Sequence, residues 1–275
     1  MVVGLPEVTA ALQGTSLAGL PVRDGPGGAL VVPGIAPDTL HDAWRAAHAV
    51  LPVTGRWPVL VADDPFEHSV DVDLAELDRA ARTFDPWPYF QEEDDGDAAE
   101  DDQVPLEYFT SGRYGIDVTA EVLPRVALPV GRQELLRRAY DHVLSDPALA
   151  ARVLGTVSHV VRPGHWFTPR EVWLMLLPTA FPWLAPPWIG FYGTLGEEYE
   201  LAAALWQWRR RWDARLVAGW RTMLQFEVHR PPAPGDDAWA AARQILALGP
   251  SFDIQQWELA VAVPESEAWF IHNRP

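Results

Sequence analysis

Three polar side chains at alternate positions are the strongest candidates for chemistry in this sequence. Gln225, Glu227 and His229 alternate with apolar residues between positions 222 and 230, and residues two apart in a β-strand project from the same face. A carboxylate beside an imidazole can bind a metal ion or move a substrate proton. A solvated strand face has the same composition, so catalysis by Glu227 and His229 and simple polar exposure both stay open.

Two pairs of histidines are further candidates. His41 and His48 are seven positions apart on one predicted helix, which separates them by about 10 Å, too far for one metal ion. Trp44 lies between them and favours partial burial beside an aromatic ring. His159 and His165 flank a predicted turn and could face one another. Because nothing in the sequence supplies a nucleophile for this second pair, we assign no reaction to it.

Common cofactor and metal motifs are absent from the sequence. The chain contains no cysteine, which excludes disulfides, thiolate metal sites and thiol nucleophiles. Asp71, Asp73 and Asp78 lack the glycine and terminal glutamate of a calcium-binding EF-hand loop. No glycine loop has phosphate-binding spacing, and no serine lies in a nucleophile elbow. The sequence therefore predicts no cofactor and no bound metal.

Aromatic side chains concentrate in the proline-rich segment 178–196, and the whole chain carries 14 tryptophans. Trp and Tyr are enriched among the residues that dominate binding energy. Trp188 and Tyr192 are therefore candidate binding residues, because large side chains in an irregular loop can stay partly exposed. The alternative is that these rings only pack the loop against the core.

The charge balance of 21 basic and 38 acidic residues gives a formal net charge of −17. Such a field repels nucleic acid and anionic membranes and favours a basic protein as partner, although it can also serve solubility alone. Prolines interrupt the apolar segment 172–191, so we expect no membrane span. Residues 1–11 lack the features of a secretory signal. We therefore expect a cytoplasmic protein.

The apolar pattern predicts an α+β fold with a mixed sheet flanked by helices. Segments 29–32 and 57–62 are predicted strands on either side of a helix near 37–51, a strand–helix–strand unit whose strands could pair in parallel. Helices at 133–144 and 147–154 form a predicted hairpin. A central strand is then expected at 172–177, and the remainder follows the order helix, strand, strand, helix, helix, strand (197–212, 215–218, 222–230, 236–248, 253–261 and 269–271).

An acidic stretch divides the chain into two predicted regions. Eight of the twelve residues in 91–102 are acidic, and charges this dense repel one another and resist packing. We interpret 91–104 as a flexible linker or loop between an N-terminal α/β region, 1–90, and a C-terminal α+β region, 105–275. The alternative is a polyanionic decoy for a basic partner or a cation-binding segment.

Several motifs of the C-terminal third resemble a bacterial family known as domain of unknown function 4253. They are EVWLMLLPT at 171–179, the loop 190–193, LWQWRRRWDARLVAG at 205–219, FEVHRPP at 226–232, and the closing FDIQQ and WF. The resemblance covers about residues 171–275 and departs from the family in several polar positions. It supports the predicted fold and implies no activity, because the family is uncharacterised.

Two classes of function remain open from the sequence. One is a non-enzymatic protein-binding module, for instance an immunity or inhibitor-type protein for a basic partner, anchored by Trp188 and Tyr192. The other is a small hydrolase or metal-dependent enzyme that uses Glu227 and His229.

Overall fold

The computed structural model describes residues 2–62, 64–67, 69–88, 104–193 and 197–274. Of the predicted acidic linker, 91–104, residues 91–103 lie outside the described residues. Contacts between Cα atoms divide the chain into two compact units. The sheet unit is formed from residues 1–85 and 166–227, and the helical unit from 86–165 and 228–274. Each unit thus draws on both halves of the chain, whereas the sequence suggested consecutive regions.

Helices and strands alternate irregularly along the described part of the chain. Its twelve α-helices are α1 (Leu5–Leu12), α2 (Leu40–Ala49), α3 (Leu51–Thr54), α4 (Leu74–Thr83), α5 (Glu107–Thr110), α6 (Thr119–Val122), α7 (Arg132–Ser145), α8 (Pro147–Val157), α9 (Pro186–Ile189), α10 (Glu198–Trp212), α11 (Asp236–Leu248) and α12 (Gln256–Ala262). Its seven strands are β1 (Arg23–Asp24), β2 (Leu30–Val32), β3 (Pro58–Val61), β4 (Trp173–Leu176), β5 (Ala214–Gly219), β6 (Met223–Val228) and β7 (Ala268–His272). The fold is α+β, as the sequence predicts.

Six strands of the sheet unit lie in the order β1, β2, β4, β3, β5, β6. β4 is antiparallel to both β2 and β3, and β3 is parallel to β5. The parallel pairing considered for the first two predicted strands is therefore wrong, because β4 lies between them. Every residue of β2 and β3 is buried, so the apolar runs supply strands that the core covers on both faces.

Tryptophans join the helices of the sheet unit to its strands. Trp44 of α2 donates its indole hydrogen to the carbonyl of Pro58 at 2.9 Å. Trp57 donates in the same way to the carbonyl of Leu216 at 3.1 Å. Both rings are at most 2% exposed, and a buried indole needs such a partner to offset the loss of its contact with water. The tryptophan-rich composition thus serves the core.

The longest helix, α10, leads into the hairpin of β5 and β6. Glu197 and Glu200 form a capping box at its start. Asp213 ends the helix in a left-handed conformation with φ 48°, and its carboxylate forms ion pairs with Arg209 and Arg215. Acidic residues in the first turn of α10 and arginines in its last turn complement the helix dipole.

The helical unit contains the predicted helical hairpin. Asp146 caps α8 by accepting hydrogen bonds from the backbone N–H groups of Ala148 and Leu149. Farther along the chain, the fully buried carboxylate of Glu258 accepts hydrogen bonds from the backbone N–H groups of Arg113, Tyr114 and Gln255. These three donors replace the water that the carboxylate of Glu258 loses on burial, and the hydrogen bonds from Arg113 and Tyr114 fix the loop that precedes α6.

Among the described residues, no helix combines the length and apolarity that a membrane crossing requires.

Candidate binding cleft and buried carboxylate

The sheet unit contains a cleft of about 250 Å³. Its walls are mostly apolar, and its polar side chains come from three separate parts of the sequence. The apolar lining consists of Pro26, Val61, Pro65, Val70, Pro186, Pro187, Trp188, Ile189, Phe191 and Leu201. The charged lining consists of Asp64, Glu197, Glu198 and Arg221, and Tyr192 completes the rim.

Trp188 forms part of the inner wall of this cleft. It lies in the short helix α9, where Gly190 ends the helix in the left-handed conformation with φ 52°. Its indole nitrogen donates to the carbonyl of Pro26 at 3.0 Å, and the residue is only 8% exposed. A Cβ atom at Gly219 would lie 2.7 Å from Cβ of Ile189, so a glycine at the end of β5 allows α9 to approach this closely.

Tyr192 is the exposed aromatic residue of the cleft, with 55% of its surface open to solvent. Its backbone N–H donates to the carbonyl of Arg221 at 2.7 Å, which ties the loop after α9 to the turn between β5 and β6. The guanidinium carbon of Arg221 lies 6.0 Å from the centre of the Tyr192 ring. The cleft therefore has one buried and one exposed aromatic wall. The expected partial exposure in an irregular loop holds for Tyr192 and is wrong for Trp188, which is buried in α9.

The acidic side of the cleft lies at the start of α10. Glu197 takes part in the capping box, and Glu198 is the first residue of the helix. Both residues are exposed overall. Local desolvation raises the pKa of the Glu198 carboxyl, and the charge of Glu197 raises it further. Because both effects disfavour a negative charge at Glu198, the attraction of a positive group placed nearby would offset them.

A second polar arrangement surrounds Glu227, which is 6% exposed. One carboxylate oxygen, Oε1, lies 2.6 Å from Nε2 of His41 and 2.8 Å from Nε of Arg45. Burial alone would raise the pKa of Glu227, but the hydrogen bonds and charges of His41 and Arg45 outweigh it and lower this pKa to about 2. The carboxylate is therefore ionised at neutral pH and acts only as an acceptor, which places the proton of His41 on Nε2.

The other ring nitrogen of His41, Nδ1, is the one left to act as an acceptor or base. The His41 ring stands edge-on to Trp166, with ring centres 5.1 Å apart. The indole nitrogen of Trp166 is buried and has no hydrogen-bond partner among the described residues. This combination resembles a histidine oriented by a carboxylate for acid–base work.

The polar strand face predicted at 222–230 is only partly correct. The alternative of simple polar exposure is wrong for Gln225 and Glu227, because both are buried, and Gln225 donates to the carbonyl of Phe167 at 3.0 Å. Strand β6 is covered on both faces, because Phe167 and His41 of the sheet unit contact the face that carries Gln225 and Glu227. His229 is exposed and belongs to the helical unit, and the imidazole that contacts Glu227 is that of His41.

The remaining histidine predictions agree with the structure. His48 stacks on Trp44 with ring centres 4.8 Å apart, as partial burial beside an aromatic ring requires. His159 and His165 face each other at 5.7 Å, and burial, together with the charge of His159, lowers the pKa of His165.

Asp73 and Asp78 both form structural hydrogen bonds in the sheet unit. Asp73 caps α4, and Asp78 accepts hydrogen bonds from Arg82 and from the indole of Trp183. Among the described residues, no group of three or more His, Cys, Asp or Glu side chains is arranged to hold a metal ion.

The hairpin β5–β6, the capped helix α10 and the strand β4 lie together in one stretch of sequence. Residues 173–272 match a domain of unknown function, DUF4253. The matched segment supplies Trp188, Tyr192, Glu198 and Arg221 of the cleft and Glu227 of the buried cluster, while His41 and Arg45 lie outside it. The predicted resemblance to DUF4253 is confirmed for this C-terminal portion. Comparison with curated proteins and with solved structures finds no match.

Sequence reasoning selected Trp188 and Tyr192 but missed the acidic and basic residues beside them. Glu197 and Glu198 were assigned only to the start of a helix, and Arg221 lies in a turn without any motif. The partner of Glu227 was missed because His41 is 186 positions away in the sequence. Such a contact leaves no local pattern, so only the sheet order could reveal it.

Proposed function

We propose that this protein is a non-enzymatic binding protein that captures a basic side chain of a protein partner in the cleft beside Trp188 and Tyr192. An immunity or inhibitor-type protein for a basic partner is the form of this function that we favour. The observation that carries the proposal is the combination of aromatic walls with three carboxylates, those of Asp64, Glu197 and Glu198, around one small cleft.

The charges of the cleft favour a cation. Three carboxylates line it against one guanidinium, that of Arg221, among the described residues. The raised pKa of Glu198 means that its negative charge is poorly stabilised in the free protein. An incoming ammonium or guanidinium would stabilise this charge by direct attraction, which offsets the cost of desolvation and the repulsion from Glu197.

The apolar walls suit the rest of a basic side chain. Lysine and arginine carry long aliphatic stems that pack on apolar surface while the charged group stays in a polar environment. Tyr192 adds a ring face that attracts cations. A volume of about 250 Å³ lies just below the range of roughly 300–1,000 Å³ that is typical for drug-sized ligands. This size favours a single side chain over a large cofactor.

The whole chain would assist the encounter. A net charge of −17 attracts a basic partner over distances set by salt, about 10 Å at 0.1 M, and rejects acidic competitors. The sequence contains no cysteine, so the fold needs no oxidising compartment, and we include a cytoplasmic location in the proposal.

Calorimetric titration with a capped hexa-arginine peptide tests this function, with a hexaglutamate peptide as the charge control. The double variant Tyr192→Ala/Glu198→Gln should bind hexa-arginine at least about 30-fold more weakly, the loss expected when a hot-spot residue is truncated. The matched control is Phe167→Ala/Glu171→Gln, which removes the same kinds of side chain outside the cleft. Equal weakening by both double variants would mean that the peptide responds only to net charge.

A second candidate function, acid–base catalysis, is favoured by the 2.6 Å contact between His41 and Glu227. The sequence paired Glu227 with His229 in a hydrolase or metal-dependent enzyme, whereas the structure gives it His41. Nδ1 of His41 would then be the base. Turnover in a broad screen of chromogenic esters, lost in both His41→Asn and Glu227→Gln but kept in His48→Asn, would support this candidate.

A further inference from the structure

Among the described residues, three aromatic side chains line the cleft, and all come from one short segment. They are Trp188, Phe191 and Tyr192, of which Trp188 is 8% exposed, Phe191 is half-buried and Tyr192 is 55% exposed. A Cβ atom at Gly193 would clash with the Phe191 ring, so a glycine there gives this ring its place. Because the face of an aromatic ring is negative and attracts cations, the cleft can attract a cation without any hydrogen bond.

Neutral polar side chains are scarce around the cleft. The described residues that line it include no Ser, Thr, Asn, Gln or His, and the hydroxyl of Tyr192 is their one neutral side-chain oxygen. The carbonyl of Pro26 already accepts a hydrogen bond from Trp188. A lysine ammonium has three N–H donors and a guanidinium has five, and each donor that leaves water without a new acceptor costs free energy. The cleft therefore suits a cation that has few donors.

The carboxylates of the cleft supply charge, but part of their hydrogen-bonding capacity is already used. Oδ1 of Asp64 accepts a hydrogen bond from the N–H of Phe66 at 2.9 Å, and the Glu197 carboxylate accepts one from the N–H of Glu200 in the capping box. Partial desolvation and the charge of Glu197 raise the pKa of Glu198. Attraction between charges requires no donor and no particular direction, so these carboxylates can hold a cation that has no N–H group.

On the basis of the proposed function of the cleft, we propose that the basic side chain it captures is a methylated lysine with a trimethylammonium head group. Methylation keeps the positive charge of lysine and replaces its N–H donors with methyl groups. It thereby lowers the cost of leaving water and adds apolar surface that packs on the rings and prolines of the lining. Aromatic rings are the usual receptors for quaternary ammonium groups.

The experiment compares capped alanine pentapeptides that differ only in their central residue. This residue is lysine, arginine, dimethyllysine, trimethyllysine or a neutral analogue of trimethyllysine in which carbon replaces the charged nitrogen. Binding to the full chain is followed by NMR of the backbone amides. The first four peptides carry the same charge, so differences among them report on the head group, and the fifth tests whether the charge is required.

Affinity should rise from lysine through dimethyllysine to trimethyllysine. The trimethyllysine peptide should bind about fivefold or more tightly than the lysine and arginine peptides, the size expected for a partly desolvated cation on aromatic faces. The neutral analogue should bind about fivefold or more weakly than trimethyllysine for the same reason.

Variants of Tyr192 test whether the ring carries this preference. Tyr192→Ala should remove most of the gain of trimethyllysine over lysine, and Tyr192→Phe, which keeps a ring without the hydroxyl, should restore it. Phe167→Ala is the matched control, because Phe167 is an exposed aromatic residue outside the cleft. Thermal unfolding of each variant confirms that it is folded.

Free choline distinguishes a protein partner from a small molecule, since it has the same head group without a peptide. Choline should bind more weakly than the trimethyllysine peptide, because it lacks the long aliphatic stem that packs on the apolar lining. Equal or tighter binding of choline would overturn the protein partner of the proposed function and leave the recognition of the head group in place.

The remaining outcomes separate the inference from the proposed function. If the lysine or arginine peptide binds as tightly as the trimethyllysine peptide, or if Tyr192→Ala keeps the gain, the inference is wrong while the proposed function stands. If the neutral analogue binds as tightly as the charged peptides, or if none of the peptides binds, both are wrong.

Discussion

Nε2 of His41 lies 2.6 Å from Oε1 of Glu227, the oxygen that also accepts a hydrogen bond from Arg45. The contact joins the first turn of α2 to the end of β6, two elements that are far apart in the sequence. A buried carboxylate with such partners stabilises the fold only while it is ionised, because a protonated carboxyl loses both charge-assisted hydrogen bonds. Glu227 with its partners His41 and Arg45 therefore makes the free energy of unfolding sensitive to acid.

We predict that Glu227→Gln removes a large part of this acid sensitivity. The pKa of Glu227 falls from 4.5 to about 2 on folding, so its contribution is fully present above pH 4.5 and declines as pH falls toward 2. The shift corresponds to about 3 kcal/mol at neutral pH. Urea unfolding at pH 7 and pH 3 measures it. The wild type should lose more stability on acidification than Glu227→Gln, while the exposed control Glu171→Gln should behave like the wild type.

Tyr192→Ala should weaken hexa-arginine binding by about 2 kcal/mol while leaving the melting temperature nearly unchanged. The reason is that Tyr192 is 55% exposed and offers a ring face to the ligand at small cost to the core. Calorimetric titration and thermal unfolding of the same samples provide both readouts. A similar loss of binding in Phe167→Ala, another exposed aromatic residue of the sheet unit, would argue against a specific role for Tyr192.

Trp188 provides the contrasting case, since it is 8% exposed and donates to Pro26. Trp188→Phe keeps a ring but leaves the Pro26 carbonyl without this donor, which typically costs about 1–3 kcal/mol. We therefore expect Trp188→Phe to lower the melting temperature. If Trp188→Phe binds the peptide less tightly with an unchanged melting temperature, Trp188 contacts the ligand and contributes little to the stability of the fold.

Binding of a basic peptide should weaken as the solution is acidified. The cation is attracted to the ionised form of Glu198, and the pKa of this carboxyl is raised by partial desolvation and by Glu197. As pH falls through that raised value, protonation removes one of the three negative charges of the cleft. Titrations at a series of pH values should show this decline in the wild type and a flatter profile in Glu198→Gln. Identical profiles would exclude Glu198 as the group responsible.

Local patterns predicted the long elements of this fold, whereas α1, α5, α6 and β1 had no counterpart among the predictions. The capped helix after Glu197 and the hairpin joined at Asp146 depend on neighbouring residues, so propensity and charge order are sufficient to find them. The position of β4 between β2 and β3 depends on which apolar strands find each other, and a run such as that at 173–176 fits several places in a buried sheet. Sheet order therefore had to come from the structure.

In the candidate site, too, local features could be predicted from the sequence, whereas features that depend on tertiary contacts could not. The aromatic content of the segment around Trp188 and Tyr192 is visible in the sequence, but which of the two rings is exposed depends on the hydrogen bond to Pro26 and on the close contact at Gly219. The burial of Glu227 could not be read from strict alternation, because both faces of β6 are covered. Alternation identifies the two faces of a strand and leaves open whether each one meets water.

The central claim is that the cleft receives a basic side chain, and mapping by NMR of the backbone amides that respond to hexa-arginine tests it most directly. Chemical-shift changes should concentrate at Trp188, Tyr192, Glu198 and Arg221, saturate together with a single dissociation constant, and diminish in Tyr192→Ala/Glu198→Gln. Changes scattered over acidic surfaces outside the cleft, or equal changes in that double variant, would contradict the claim.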